Sequence, residues 1–162
     1  MPSGEQQVKA IIIYDSRRSR GATAQIVQAI AQTLGRYGIQ AEAAKPSQAK
    51  IEDKELVVIG SPIYEERAMK TVTSYIEKNK EKLASKKVAV FIVCMAQLAG
   101  KPGKLYAEKH YLPQLAKRLA REPDAAAMFR GWLIRPNPET LSQAEKWALK
   151  IAQLVKPKNT ET

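Results

Sequence analysis

Two kinds of apolar pattern alternate along the chain. Short, nearly continuous runs such as Val8–Tyr14 (VKAIIIY), Leu56–Ile59 and Val88–Met95 (VAVFIVCM) are rich in isoleucine and valine. Runs of this length and composition mark strands buried on both faces of a parallel sheet. Between them, apolar residues recur every three or four positions. Ile26, Val27, Ile30 and Leu34 form one stripe of a helix over 22–34 that closes near Gly35 and Gly38. Met69, Val72, Ile76 and Leu83 predict a second helix, and Leu112, Leu115 and Leu119 a third that Pro113 must kink or restart. Leu141, Ala144, Ala148, Ile151 and Val155 predict the last. Ile39–Ala43 is a weaker strand, Ala125–Leu133 the final one, and Gly60-Ser61-Pro62 is expected to stop the strand at 56–59.

This order predicts an α/β layered domain with a mostly parallel central sheet and helices on both faces. Ligands of such sheets bind outside the carboxyl ends of the strands. Three loops, 14–23, 60–68 and 94–104, meet that edge and should build any site. No repeat or internal linker interrupts the chain, so 1–162 is read as a single domain. Its ordered core spans about 8–155, with frayed ends at 1–6 and 156–162.

Composition narrows the setting. No apolar run approaches the roughly 20 residues of a membrane span, and MPSGEQQ lacks a signal-peptide core. Cys94 is the only cysteine, so an internal disulfide is excluded and a cytoplasmic location is expected. The net charge of +11 favours anionic partners: nucleic acid, an acidic protein, or a lipid headgroup layer at the membrane periphery. No RNA-binding strand signature or Cys/His finger is present, which disfavours nucleic acid. Oligomeric state is not legible.

The candidate chemistry lies where the first strand breaks into YDSRRSRGAT before the first helix. That placement suits a phosphate cradle, because helix N-termini offer free amides to anions. Arg17, Arg18 and Arg20 leave two other readings open, a basic patch and a solvated turn.

Tyr-x-Ser at the end of the first strand, Gly-x-Thr entering the first helix, and VIGSPIY resemble the flavodoxin-like family. VAVFIVCM with its following loop fits the same pattern. IGSPIY, the VCM strand end and KPGK are similar to the branch containing menaquinone-dependent protoporphyrinogen oxidase. The resemblance implies a three-layer α/β/α flavodoxin-like sandwich with a five-stranded parallel sheet in the order 2-1-3-4-5. That order comes from the family, not from the spacing of the strands. It also implies bound flavin mononucleotide (FMN) and electron transfer through the flavin.

Carried over by position, Ser16, Ser19, Gly21, Ala22 and Thr23 would surround the FMN phosphate, with Arg18 and Arg20 as cations able to fold over it. Ser61, Pro62, Ile63 and Tyr64 would lie against the ring, and Cys94, Met95, Ala96 and Gln97 along its other edge. No catalytic residue and no metal ligand is implied. Flavodoxins usually separate the corresponding hydroxyl and threonine by five positions, whereas Ser16 and Thr23 are seven apart (23 − 16), so this loop is longer by two residues. The basic charge points to an acidic redox partner protein. Two alternatives remain: a flavin-free module that binds an acidic partner or nucleic acid through its basic loops, and a protoporphyrinogen oxidase-like flavoenzyme. Among single residues, Trp132 is expected in the core, His110 on a helix surface, and Cys94 buried. Glu65 and Glu66 either repel an anionic substrate or pair with the arginines.

Overall fold

The computed structural model describes residues 7–95 and 100–155, so both expected frayed ends lie outside the described residues. Strands β1 (Val8–Tyr14), β2 (Ile39–Ala44), β3 (Leu56–Tyr64), β5 (Lys87–Cys94) and β6 (Ala125–Arg130) form a parallel sheet in the order β2-β1-β3-β5-β6. Counted without the two-residue β4 (Arg67–Ala68), which pairs antiparallel with the end of β3, this is the order 2-1-3-4-5.

Side-chain alternation along β1 explains the isoleucine run. Ala10 and Ile12 point to one face, where they pack with α1 (Ala22–Arg36) and α6 (Pro138–Ala152). Ile11 and Ile13 point to the other, beneath α2 (Lys70–Lys78), α3 (Lys80–Leu83), α4 (Lys101–His110) and α5 (Pro113–Ala116). All four side chains are fully buried, as a strand between two helical layers requires.

Three helix boundaries differ from the apolar spacing. The stripe from Met69 to Leu83 is broken at Asn79, whose side chain donates back to the Tyr75 carbonyl (2.9 Å) and ends α2. The third helix begins at Lys101, inside the expected loop 94–104, and Pro113 then restarts it as expected from its missing N–H and fixed φ. The last helix begins at Pro138, with the Asn137 side chain accepting from the amides of Glu139 (2.9 Å) and Thr140 (3.3 Å). Asn137→Ala is expected to lower stability by about 1 kcal/mol, read as a shift in the urea midpoint at unchanged m-value.

Two strand ends also differ. β3 does not stop at Gly60 but runs through Pro62 to Tyr64 and turns back into β4. Glu65 and Glu66 make that turn at φ of 51° and 71°. β6 ends at Arg130 rather than Leu133, so residues 131–137 become a fourth loop at the carboxyl edge.

Candidate functional site

The loops that follow β1, β3, β5 and β6 enclose a cavity of about 360 Å³ at the carboxyl edge of the sheet. Of the residues expected there, Ser16, Arg18, Gly21, Ala22, Thr23, Pro62, Ile63, Tyr64, Cys94 and Met95 line it. Ala96 and Gln97 lie outside the described residues. Ser19 and Arg20 are exposed and away from the lining, and Ser61 is fully buried behind it.

The first loop folds on itself, which accounts for the outward residues. Ser16 Oγ donates to the Arg18 carbonyl (2.6 Å), and the Gly21 amide donates to the same oxygen (3.4 Å). This turn places Ser19 and Arg20 on the outside, where Gln25 Nε2 donates to the Arg20 carbonyl (3.0 Å). The turn also needs a small residue at 21, since an added Cβ would meet the Arg18 Cβ at 3.1 Å. Ser61, for its part, donates to the Pro62 carbonyl (2.8 Å) and accepts from the Met69 amide (2.9 Å). Its hydroxyl ties β3 to the start of α2.

Beyond the turn, α1 opens on Gly21 with no side-chain cap and no acidic residue in its first turn. Its first amides therefore keep their affinity for an external anion. Thr23 is only 4% exposed, lines the cavity, and makes no side-chain hydrogen bond among the described residues. An uncapped helix start beside a nearly buried, uncommitted hydroxyl fits a phosphate group.

Two arginines shape the mouth. The Arg17 guanidinium lies 4.1 Å from the centre of the Tyr64 ring, and the Arg17 amide donates to Tyr64 Oη (3.2 Å). One face of Tyr64 is thus covered by a cation. Arg18 Nη1 reaches across to the Leu133 carbonyl (3.3 Å) and links the first loop to the fourth.

The fourth loop was not expected at the site. Its Gly131, Trp132 and Leu133 join the lining together with Val93 of β5, and Trp132 is half-buried between cavity and core instead of wholly within the core. Gly131 brings the chain close, because a Cβ there would meet Val93 Cγ1 at 3.2 Å and Met95 Sδ at 3.4 Å. The only sequence signal was a strand pattern extending past an edge where every parallel strand ends at a ligand-binding face.

Asp15 supports the loop from behind. Its carboxylate accepts from the Ser16 amide (2.8 Å) and the Thr71 hydroxyl (2.8 Å), with Lys45 Nζ at 3.9 Å. A second hollow of about 590 Å³ lies beyond it, lined by Lys45, Lys70 and Lys78. It is larger, but those lysines are exposed and it contains none of the uncommitted buried groups, so the smaller cavity is the better-built site.

Glu65 and Glu66 form no ion pair with the arginines among the described residues. Glu66 instead accepts from the hydroxyls of Tyr106 (2.7 Å) and Tyr111 (2.8 Å), which pins the β3–β4 turn onto α4 and the residue after it. Hydrogen bonding from Tyr106 and then Tyr111 holds the Glu66 carboxyl below its ordinary value. Burial, reinforced by Glu66, pushes the Tyr111 phenol up to about 12. A depressed carboxyl stabilises the fold above its unfolded value and loses that contribution as pH falls through the folded value. Protection of the amides in 61–69, taken as the slowing of exchange relative to the intrinsic rate at the same pH, is therefore expected to fall in acid, below the ordinary carboxylate range near pH 4. Glu66→Gln should remove most of that pH dependence. His110 ends α4 on the surface, its ring tilted 40° to that of Tyr106 with the centroids 4.3 Å apart.

An open doubly wound sheet with its cavity at the carboxyl edge defines a flavodoxin-like fold. The profile of the family described as Flavodoxin domain matches residues 11–159, and the chain belongs to that family. Among solved structures, a flavodoxin from the domain Archaea is similar at a TM-score of 0.64 and 18% identity, over 93% of this chain and 100% of that one. Flavodoxin 1 from Bacillus cereus is similar at 0.64 and 14%, over 91% and 99%. Rubredoxin oxygen:oxidoreductase from Desulfovibrio gigas is similar at 0.60 and 18%, over 91% of this chain and 37% of that one. No curated relative matches the chain by sequence. At these identities the solved structures speak for the fold alone.

Proposed function

We propose that this protein binds FMN in the carboxyl-edge cavity and transfers electrons through it. The observation that carries this reading is the uncapped start of α1 facing the cavity beside the uncommitted Thr23 hydroxyl. Ser16, Gly21, Ala22 and Thr23 would hold the phosphate, and Arg18 stands at the same loop. Tyr64, Pro62, Ile63, Cys94 and Met95, with Trp132 from the fourth loop, would enclose the ring. The volume falls within the range of small-molecule sites. Bound flavin supplies the electron chemistry; the chain binds, orients and shields it. The named fold relatives, flavodoxins among them, support this use of the edge.

The expected result is a yellow purified protein, or a colourless one that turns yellow with added FMN and quenches its fluorescence. A colourless protein that takes up no FMN would overturn the reading.

One observation favours a second reading, a flavin-free module that binds an acidic partner. Arg17 already covers a face of Tyr64. That reading expects no uptake and salt-sensitive binding to an acidic protein. In the FMN reading, the basic surface selects an acidic redox partner. The more specific enzyme, akin to menaquinone-dependent protoporphyrinogen oxidase, would use Lys101, Lys104 and Lys109 against substrate carboxylates. Turnover with a quinone acceptor distinguishes it from a carrier.

A further inference from the structure

Charge is distributed differently at the two ends of the sheet. Toward the amino-terminal ends of the strands, most of the exposed cations beside the sheet are paired among the described residues, Lys9 with Asp53, Lys82 with Glu52 and Arg121 with Asp124, while Lys87 at the start of β5 is not. At the carboxyl end, Arg17, Arg18, Arg20, Arg130 and Arg135 are exposed and make no ion pair among the described residues. Among these arginines the fourth loop carries two apolar side chains outward. Leu133 is 71% exposed and Ile134 89%, the highest values of any large apolar residue described. Met95, 38% exposed, sits beside the base of the same loop. Arg18 is bonded to the Leu133 carbonyl, and Pro136 and Pro138 restrict the backbone just beyond.

We propose that the Leu133–Ile134 tip docks on an anionic lipid bilayer, with the two side chains in the interfacial zone and the surrounding arginines at the headgroups. Arginine near such a surface is attracted to anionic headgroups, and apolar side chains beside it add burial, the two signals that stable peripheral binding needs. The shape of the tip selects lipid over an acidic protein. A projecting apolar pair needs a pre-formed pocket in a protein partner, whereas a fluid interface receives it without one. Because Leu133 also lines the cavity, docking brings the mouth of the site to the lipid surface. The inference stands on exposure and charge and does not depend on flavin being bound.

Trp132 precedes the tip and serves as its reporter, while Trp147, 8% exposed in the core, provides a constant background. The full chain should co-sediment with vesicles of equimolar phosphatidylglycerol and phosphatidylcholine, not with phosphatidylcholine alone, and its tryptophan emission should shift to the blue. Leu133→Ser/Ile134→Ser should lower vesicle partitioning about tenfold or more, with an unchanged melting temperature because both side chains are exposed. Arg130→Ser and Arg135→Ser should each lower it about fivefold. Equal partitioning of the wild type and the tip variant would overturn the proposal. So would retention on polyglutamate without vesicle binding, which would assign the surface to an acidic protein.

Discussion

Gly60→Ala is expected to destabilise the protein by about 3 kcal/mol, the upper end of ordinary overpacking. Gly60 lies on β3, between Tyr14 of β1 and Phe91 of β5 in register. An added Cβ would fall on the ring carbons of Phe91, not on a flexible chain end. Phe91 cannot yield, because it is fully buried and set edge-on against Phe129 (5.7 Å) and Trp147 (5.9 Å). Those two rings also meet each other edge-on at 5.7 Å, so displacing one disturbs all three. Urea melts should show the loss. Adding Phe91→Leu to Gly60→Ala should recover part of it, and strict additivity of the two changes would rule out the collision.

The second large effect separates binding from stability. Ala22→Asp is expected to weaken FMN binding about a hundredfold or more, since like charges a few ångströms apart repel by several kcal/mol in a partly buried site. The same substitution should leave the flavin-free protein as stable or more so, by about 0.3–1 kcal/mol. Ala22 is the first residue of a helix that has no acidic residue in its first turn, where a carboxylate complements the dipole. Fluorescence titration with FMN and a thermal melt of the same sample read the two effects. Unchanged FMN affinity would place the anion elsewhere.

The sheet was legible because β1, β3 and β5 are buried on both faces and so carry long isoleucine and valine runs. The anion loop was legible from its strand-to-helix position. Its internal turn was not, because it depends on Ser16 and Gly21 converging on the Arg18 carbonyl. β3 was read short because Gly60-Ser61-Pro62 has the composition of a stop. It continues because the Ser61 hydroxyl is satisfied locally and Glu65-Glu66 adopt positive φ without the glycine or asparagine that usually signals such a turn. The fourth loop was hidden by its own composition. Gly131-Trp132-Leu133 extends an apolar strand pattern, although the strand ends one residue earlier and the apolar groups are spent on the cavity and on solvent. Arg17 on Tyr64 joins residues 47 positions apart, a pairing that only the meeting of two loops reveals.

The central claim is that the start of α1 cradles the phosphate of a flavin whose ring fills the neighbouring cavity. Titrating the flavin-free protein with FMN and with riboflavin, which has the ring but no phosphate, tests it most directly. The account predicts quenching by FMN at a concentration at least about a hundredfold below that for riboflavin, the contribution expected of one to two charge-assisted hydrogen bonds. Equal affinity for the two, or quenching of neither, would contradict it.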